Sequence, residues 1–398
     1  GGYQGAPVSH LLDVMVQARD YMAELGVHVQ ACTNEAAAAA MLGASIVYPV
    51  RGAVTWKSIV GTNVAADALS NLASPGVKGG CLIVVGEDYG DGASVIQERT
   101  HAFAMKSAVW LMDPRPDLPT IVRCVEKSFE LSEASHTPVI MELRIRACHV
   151  QGEFKAKDNV KPAISTLNKR PAAPHDYATL SHPPVTFGQE KAKYEERMPA
   201  ARRFIVGHGL NEKFDGRHGE VGIIVQGGIT NALIRALQEI GLADAQGRSD
   251  LPMLVLNVVY PLCPEEITGF AMGKKAVLVV EESQPEYIEH EISSILRRAD
   301  IQTALHGKDM LPMAGEYTSE VLVGGLAKFI EKHIPRLANA GAKNYLDEIA
   351  ELRKQALVAL GGPPPIRPPG FCIGCPERPF FSALKLVEKE RGPFHVSS

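Results

Sequence analysis

Leu82-Ile83-Val84-Val85, the helical periodicity from Thr120 to Leu131, and Val139-Ile140-Met141-Glu142-Leu143 form the succession that decides the fold class. Strands that are apolar on every side and separated by a helix imply a parallel sheet covered on both faces. Upstream, Ser9 can cap a helix in which Leu11, Leu12, Met15, Ala18, Met22 and Leu25 recur at three and four residues. A buried face is expected for it, and Gly26 suits its stop. A short strand from Val27 to Cys32 then leads into Asn34-Glu35 and the alanine-rich run Ala36 to Ala44. Residues 1–150 read as one doubly wound α/β domain.

Downstream the signal changes. Residues 151–219 are rich in Lys, His and Pro, as in Arg170-Pro171-Ala172-Ala173-Pro174-His175, and read as an excursion between domains. A second, smaller α/β domain is expected over 220–340, with strands at Val221 to Val225, Met253 to Val259 and Ala276 to Val280 and a helix from Asn231 to Ile240. Residues 341–369 read as a linker, a charged helical stretch near Lys343 to Leu360 followed by Gly361-Gly362-Pro363-Pro364-Pro365-Ile366-Arg367-Pro368-Pro369. The proline run is too stiff to continue a helix. Residues 370–398 are too few to fold alone and read as the start of another domain.

At 398 residues the chain suits two or three domains and is no small stapled fold. Apolar residues are 45%, and 41 basic against 45 acidic side chains leave a formal charge of −4, so neither nucleic acid nor an anionic membrane is an expected partner. No stretch approaches eighteen unbroken apolar residues, and Gly1-Gly2 is preceded by neither Met nor a basic leader, so the chain is expected to begin inside a longer soluble protein. Seven cysteines, an odd number mostly inside apolar segments, point to reduced thiols and a cytoplasmic location.

Glu35 stands where a strand hands over to a helix. A carboxylate there is ordinarily a favourable first-turn acid on the helix dipole. Flanked by residues too small to cover it, it could instead face a cofactor and bond a ring nitrogen, the arrangement that activates thiamine diphosphate. Gly90-Asp91-Gly92 superficially matches the diphosphate-binding signature of thiamine enzymes. The match is rejected, because the first Asn after Asp91 is Asn159, outside the unit. The loop from Glu87 to Gln97 reads as a connection able to line a cleft. Gly227-Gly228 lacks the full dinucleotide fingerprint and is read as close strand–helix packing. Cys372-Ile373-Gly374-Cys375 has spacing suited to zinc, an iron–sulfur cluster or a redox pair, but supplies only half of a tetrahedral site. The thirteen histidines are assigned solvent roles, and Met41, Met105, Met112 and Met141 core filling.

Taken together the chain resembles the large (alpha) subunit of indolepyruvate ferredoxin oxidoreductase, among the thiamine diphosphate-dependent 2-oxoacid ferredoxin oxidoreductases. The resemblance rests on Gly2-Tyr3-Gln4-Gly5-Ala6-Pro7 for the family's Gly-Tyr-Pro-Gly-Thr-Pro loop, on Asn34-Glu35, and on Gly61-Thr62-Asn63-Val64-Ala65-Ala66-Asp67. It continues through Gln97-Glu98, Thr137-Pro138-Val139 to Arg146, Val277 to Glu282, and Cys372-Ile373-Gly374-Cys375-Pro376-Glu377-Arg378. It departs where the family has Thr and this chain has Ala6, and where Pro-His-Arg becomes Pro376-Glu377-Arg378.

The resemblance implies a thiamine diphosphate-binding fold, with a pyrimidine-binding domain, a transketolase C-terminal-like domain and the beginning of a diphosphate-binding domain. In such enzymes the residue matching Glu35 hydrogen-bonds the aminopyrimidine ring, favouring the imino tautomer whose exocyclic nitrogen deprotonates the thiazolium carbon. Glu35, Asn63 and Gln97 are the implied cofactor-binding residues, and Gly5, Ala6, Pro7, Ser9 and Lys57 the substrate loop. Cys372 and Cys375 are the implied iron–sulfur ligands. The implied cofactors are thiamine diphosphate, Mg2+ and a [4Fe-4S] cluster. The implied partners are a small (beta) subunit or equivalent domain, ferredoxin, coenzyme A and a second large subunit. The activity implied is oxidative decarboxylation of indolepyruvate or another arylpyruvate to the aryl-acetyl-CoA. A non-oxidative thiamine-dependent decarboxylase or carboligase, and a catalytically inactive scaffold of the same fold, are the alternatives.

Overall fold

The computed structural model describes residues 1–90, 96–162, 164–165, 167–168, 172–173, 175–365 and 377–395, in two compact units, Gly1–Leu346 and Asp347–Ser398. Ten strands build the first unit: β1 (Gly52–Lys57), β2 (Cys81–Gly86), β3 (Trp110–Met112), β4 (Val139–Leu143), β5 (Glu212–Phe214), β6 (Val221–Gln226), β7 (Met253–Leu256), β8 (Val258–Tyr260), β9 (Ala276–Val280) and β10 (Ala304–His306). They form two sheets of five, in the orders β1-β2-β4-β3-β8 and β10-β9-β6-β7-β5. In each sheet four strands are parallel and one edge strand, β8 or β5, runs antiparallel. Every residue of β2, β6 and β9 is buried, as continuous Val/Ile/Leu runs require when helices cover both faces.

The helices around the first sheet are α1 (Ser9–Gln17), α2 (Arg19–Glu24), α3 (Glu35–Met41), α4 (Ala44–Val47), α5 (Ser58–Val64), α6 (Ala66–Ala73), α7 (Thr100–Ser107), α8 (Leu118–Ser135) and α9 (Ile145–Cys148). Those from the middle of the chain and around the second sheet are α10 (Thr186–Ala192), α11 (Met198–Gly207), α12 (Thr230–Glu239), α13 (Pro264–Ala271), α14 (Tyr287–Arg298) and α15 (Ser319–His333). α16 (Ala340–Ala359) follows, and α17 (Glu377–Arg391) belongs to the second unit. No helix among the described residues is long and apolar enough to cross a membrane.

α8 shows how the sequence sets the packing. Its buried face is lined with Ser128, Ser132 and Ser135, small enough for the helix to lie close to the sheet. Ser128 and Ser135 donate to the carbonyls one turn back, Ser132 Oγ accepts from Cys81 N, and Trp110 Nε1 donates to Ser135 Oγ, so each of these three serine hydroxyls has a partner. One apolar core runs from this sheet into the near face of the second, and another fills the far face beneath α12 and α15.

Several expectations change. Val8, not Ser9, is the N-cap of α1, and no side chain caps that end. The expected single helix divides at Ala18, and its apolar face is poorly covered: only Leu12 is buried in α1, while Leu11, Val14 and Val16 are exposed. Gly26 does end α2, with φ +75. The strand expected at Val27 to Cys32 is reduced to an isolated bridge from Ala31 to Gly2. The excursion over 151–219 contains α10, α11 and β5, and β5 is an edge of the second sheet. The single strand expected from Met253 to Val259 is two, since Asn257 interrupts it, and β8 crosses to the first sheet. Residues on both sides of the expected boundary between 150 and 220 therefore share one compact unit.

Candidate functional site

Parallel strands of both sheets end in polar residues, and the carboxyl ends of such strands are where open α/β folds place ligands. β1 ends at Lys57, β2 runs into Glu87-Asp88-Tyr89, β4 into Arg144, β6 into Gly227-Gly228 and β9 into Glu281-Glu282-Ser283.

Glu35 opens α3 beside β1. Asn34 caps the helix by accepting from Ala37 N at 2.8 Å, so the adjoining Glu35 is fixed on the first turn. Its side chain is 5% exposed yet makes no hydrogen bond or ion pair among the described residues. A Cβ on Gly61 of α5 would lie 2.8 Å from Glu35 Cγ and 2.4 Å from Trp56 Cδ1, so the glycine lets α5 close against both side chains. Trp56 is wholly buried and donates to Thr62 Oγ1 at 3.3 Å.

The loop Gly5-Ala6-Pro7 packs across the ends of β1 and β2. A Cβ on Gly5 would meet Lys57 N at 2.1 Å, and one on Gly86 would meet Pro7 Cδ at 2.4 Å. Lys57 Nζ reaches Asp88 Oδ2 at 3.3 Å, and Asp88 Oδ1 accepts from Ile145 N at the start of α9. Gly5, Ala6, Pro7, Lys57 and Glu35 are therefore grouped around the end of β1, with Ala6 exposed. Asn63 and Gln97 are exposed instead. Asn63 Nδ2 bonds Glu98 and Gln97 Nε2 bonds Gly90 O. Ser9 is half-buried on α1, and Cys372 and Cys375 lie outside the described residues, as does Asp91.

A buried ion cluster that the sequence reading missed joins the two sheets. Arg144 bonds Asp113 at 3.0 Å, Glu142 at 3.3 Å and Glu282, while Arg99 bonds Glu281 at 2.6 Å. Glu87 accepts from Ser58 Oγ at 2.7 Å, from Thr100 N at 2.9 Å and from the Tyr89 hydroxyl. Burial, then the negative charges of Glu87 and Asp113, push the Glu142 carboxyl well above the usual carboxylate range. Burial also raises the Tyr89 phenol. Arg144 Nε, Arg99 Nε and Arg99 Nη2 have no hydrogen-bond partner among the described residues. The signal was present in the sequence, as a lone Glu142 inside an apolar strand and paired acids straight after β9. The Glu87 to Gln97 segment, expected only to line a cleft, begins with three buried residues of this cluster or its rim, Glu87, Asp88 and Tyr89.

Lys308 braces the second side. Its Nζ lies 2.6 Å from Glu281 O, 2.8 Å from Ser283 O and 2.8 Å from the Tyr317 hydroxyl, and burial lowers its ammonium to about 8. Gly227 and Gly228 serve close packing as expected, since Cβ atoms there would fall 1.9 Å from Asp113 O and 2.2 Å from Asp113 Oδ1. Two of the residue-type expectations fail. His101 is fully buried with neither ring nitrogen bonded among the described residues, and burial, then Arg99, lowers it well below the usual histidine value. Met41 is exposed, unlike Met112 and Met141, which fill the core. Among the described residues Cys32, Cys81, Cys124, Cys148 and Cys263 are free thiols.

Over 98% of its length the chain is 26% identical to indolepyruvate oxidoreductase subunit IorA of Methanothermobacter thermautotrophicus and 27% identical to IorA of Thermococcus kodakarensis. The chain resembles these IorA subunits. It spans about 57% and 56% of their respective lengths. No protein-family model matches. Among solved structures, the 2-oxoglutarate:ferredoxin oxidoreductase from Magnetococcus marinus, determined with 2-oxoglutarate, coenzyme A and succinyl-CoA bound, superposes with a TM-score of 0.57 and 16% identity. The match covers 83% of this chain and 61% of that one. The two-sheet, largely parallel α/β fold is thus shared with that structure. Glu35 and the Gly5-Ala6-Pro7 loop fall at the strand ends of the first sheet.

Proposed function

We propose that this chain is the greater part of the large subunit of a thiamine diphosphate-dependent 2-oxoacid:ferredoxin oxidoreductase. The complete enzyme would convert an aromatic 2-oxoacid, indolepyruvate or another arylpyruvate, with coenzyme A and ferredoxin to the aryl-acetyl-CoA. The observation that carries the reading is Glu35, a buried carboxylate on the first turn of α3 with no hydrogen-bond or ion-pair partner among the described residues. An enclosed carboxylate with accepting oxygens to spare suits an external donor, such as a protonated ring nitrogen or an amino group carried on the ring.

Thiamine diphosphate, when bound, supplies the electron sink that lets a 2-oxoacid lose carbon dioxide. Glu35 would hold the aminopyrimidine ring. Lys57, tied to Asp88 beneath the Gly5-Ala6-Pro7 loop, would orient the substrate carboxylate. Asn63 and Gln97 would close the rim. Ala6 contributes no hydroxyl, so substrate positioning rests on Lys57 and the loop backbone. Mg2+ would belong to a diphosphate half outside these residues, and Cys372 and Cys375 would be two ligands of a [4Fe-4S] cluster that accepts the electrons. A small (beta) subunit or equivalent domain completes the assembly.

The test uses the full-length protein with its small subunit. Calorimetric binding of thiamine diphosphate, together with coenzyme A-dependent viologen reduction by an arylpyruvate, is the expected result. Cofactor binding with carbon dioxide release but no viologen reduction would favour the non-oxidative reading. Absence of cofactor binding would favour an inactive scaffold, which the loss of the loop hydroxyl at Ala6 permits.

A further inference from the structure

Lys308 Nζ, just past the end of β10, faces oxygen atoms that present only lone pairs to it. The Glu281 carbonyl lies 2.6 Å away, the Ser283 carbonyl 2.8 Å and the Tyr317 hydroxyl oxygen 2.8 Å, with the Pro312 and Met313 carbonyls farther out at 3.4 Å. The Tyr317 hydroxyl gives its own proton to the Pro312 carbonyl at 2.6 Å, so it too accepts from the lysine. Three close acceptors match the three N–H bonds of an ammonium group, whereas a neutral amine would leave one of them unmet. Burial lowers the group only to about 8, so it is charged at neutral pH, favoured by Glu281, Glu289 and Glu282 and opposed by Arg99.

The ammonium ties together three segments that are far apart in sequence. Ser283 has φ +68, a conformation uncommon outside glycine that persists only where the surroundings enforce it, and its carbonyl is one of the three close partners. The turn so held follows Glu281 and Glu282, which pair with Arg99 and Arg144. On the other side the loop 312–317 brings Tyr317 N to Glu282, and Tyr317 O accepts from Arg146 of α9 at 3.1 Å. Residues 312–316 are exposed and Lys308 is half-buried, so the cage lies within reach of solvent.

We propose that the oxygen cage formed by Glu281, Ser283, Pro312, Met313 and Tyr317 is a binding site for a small monovalent cation, filled in this chain by its own Lys308 as a tethered ammonium, and that this cation locks the loop 312–317 onto the end of β9. Rings of carbonyl oxygens hold such ions by replacing their hydration shell. Here a flexible four-carbon stem delivers the charge instead. Removing the stem leaves the oxygens turned inward, so a free ammonium or short alkylammonium ion should take the vacated place. Divalent ions are poor candidates, since the close oxygens are two carbonyls and a phenol, and no carboxylate bonds Nζ among the described residues. Occupancy of the cage needs neither cofactor nor 2-oxoacid, so it holds or fails separately from the function proposed above.

The test compares the full-length wild type with Lys308→Ala and Lys308→Met, by hydrogen exchange read by mass spectrometry on peptides covering residues 312–318, beside thermal melting at pH 7. In tetramethylammonium chloride, whose cation is bulky and has no N–H bond, both variants should exchange this segment about tenfold faster than wild type or more, while peptides of β6 stay protected. Propylammonium chloride at equal ionic strength supplies the atoms that Lys308→Ala lacks. It should restore protection and melting temperature to that variant saturably, ammonium chloride should do so at higher concentration, and neither should rescue Lys308→Met, whose side chain fills the path of the stem. Exchange unchanged in Lys308→Ala would show that the ammonium locks nothing. Faster exchange that neither ion reverses, or that both reverse equally in Lys308→Met, would refute the cation site. Should Lys308→Ala be unfolded in tetramethylammonium chloride, cooperative melting is expected to return with propylammonium, and its failure to return would equally overturn the proposal.

Discussion

At the scale of single residues, Glu35 and Gly61 act as a pair. If the Glu35 carboxylate accepts a bond from the cofactor ring, Glu35→Gln keeps the side-chain size but weakens the bond that drives tautomerisation. The expected outcome in the full-length enzyme is a rate loss of roughly a hundredfold or more with cofactor still bound, measured by viologen reduction beside calorimetry. Near-normal turnover would remove Glu35 from the chemistry. Gly61→Ala tests the packing independently. The new methyl group would lie 2.4 Å from Trp56 Cδ1 and 2.8 Å from Glu35 Cγ, and Trp56 is enclosed and bonded to Thr62. Overpacking of this kind costs about 1–3 kcal/mol, and the expected result is a lower melting temperature together with weakened cofactor binding.

At the scale of elements, Asn257 decides where the chain changes sheets. Its Nδ2 donates to Leu210 O at 2.8 Å and to Glu212 at 3.0 Å, its Oδ1 accepts from Arg115 N at 2.8 Å, and its own carbonyl accepts from Asp113 N. Asn257→Ala would leave the Leu210 carbonyl and the Arg115 amide without these partners, a loss of about 3 kcal/mol that urea unfolding would report. A second elemental contact joins α15 to β10. His306 Nδ1 bonds Asp309 at 2.6 Å and its Nε2 lies 2.8 Å from His333 Nε2, so one proton bridges the two rings. Burial, then His306 and Lys332, lowers the His333 value, and Asp309 alone opposes this. A folded value below the unfolded one means that this contribution to stability is present above about pH 6.5 and falls away as the pH drops below it. The melting temperature is therefore expected to decline from pH 7 to pH 5 more steeply in the wild type than in His333→Gln. Asp309, itself held below the usual range, adds a loss only at still lower pH. Parallel melting curves for the two proteins would show that the histidine pair contributes nothing.

At the scale of the whole molecule, the poorly covered apolar side chains of α1 and α5 bear on assembly. Val60 and Val64 are 49% and 48% exposed on α5, the helix whose Gly61 packs against Glu35. We expect the full-length protein to dimerise through residues 1–150, with the segment from Trp56 to Asp67 in the contact. Val64→Asp should then shift the sedimentation of the assembly toward smaller species and lower cofactor affinity. A dimer unaffected by that change would place the contact elsewhere.

The buried parallel strands β2, β4, β6 and β9, the helix α8 and the Gly26 stop were all legible in sequence, because apolar runs, helical periodicity and the turn preference of glycine are local properties. Glu35 stood out through its place between small residues ahead of a helix, and the structure buries it on the first turn of α3. Other features depend on what the chain meets in space. Val258 to Tyr260 reads like a continuation of β7 but pairs with β3, because Asn257 finds its partners on Leu210, Glu212 and Arg115. The apolar face of α1 has the right spacing to be buried, but little in its own unit covers it. The cluster around Arg144 draws on residues more than a hundred positions apart, Glu87 and Glu142 with Glu282. Local pattern can mark each of those acids as unusual, but charge neutralisation is a property of distance in three dimensions, and only the tertiary structure brings five carboxyl groups to two arginines.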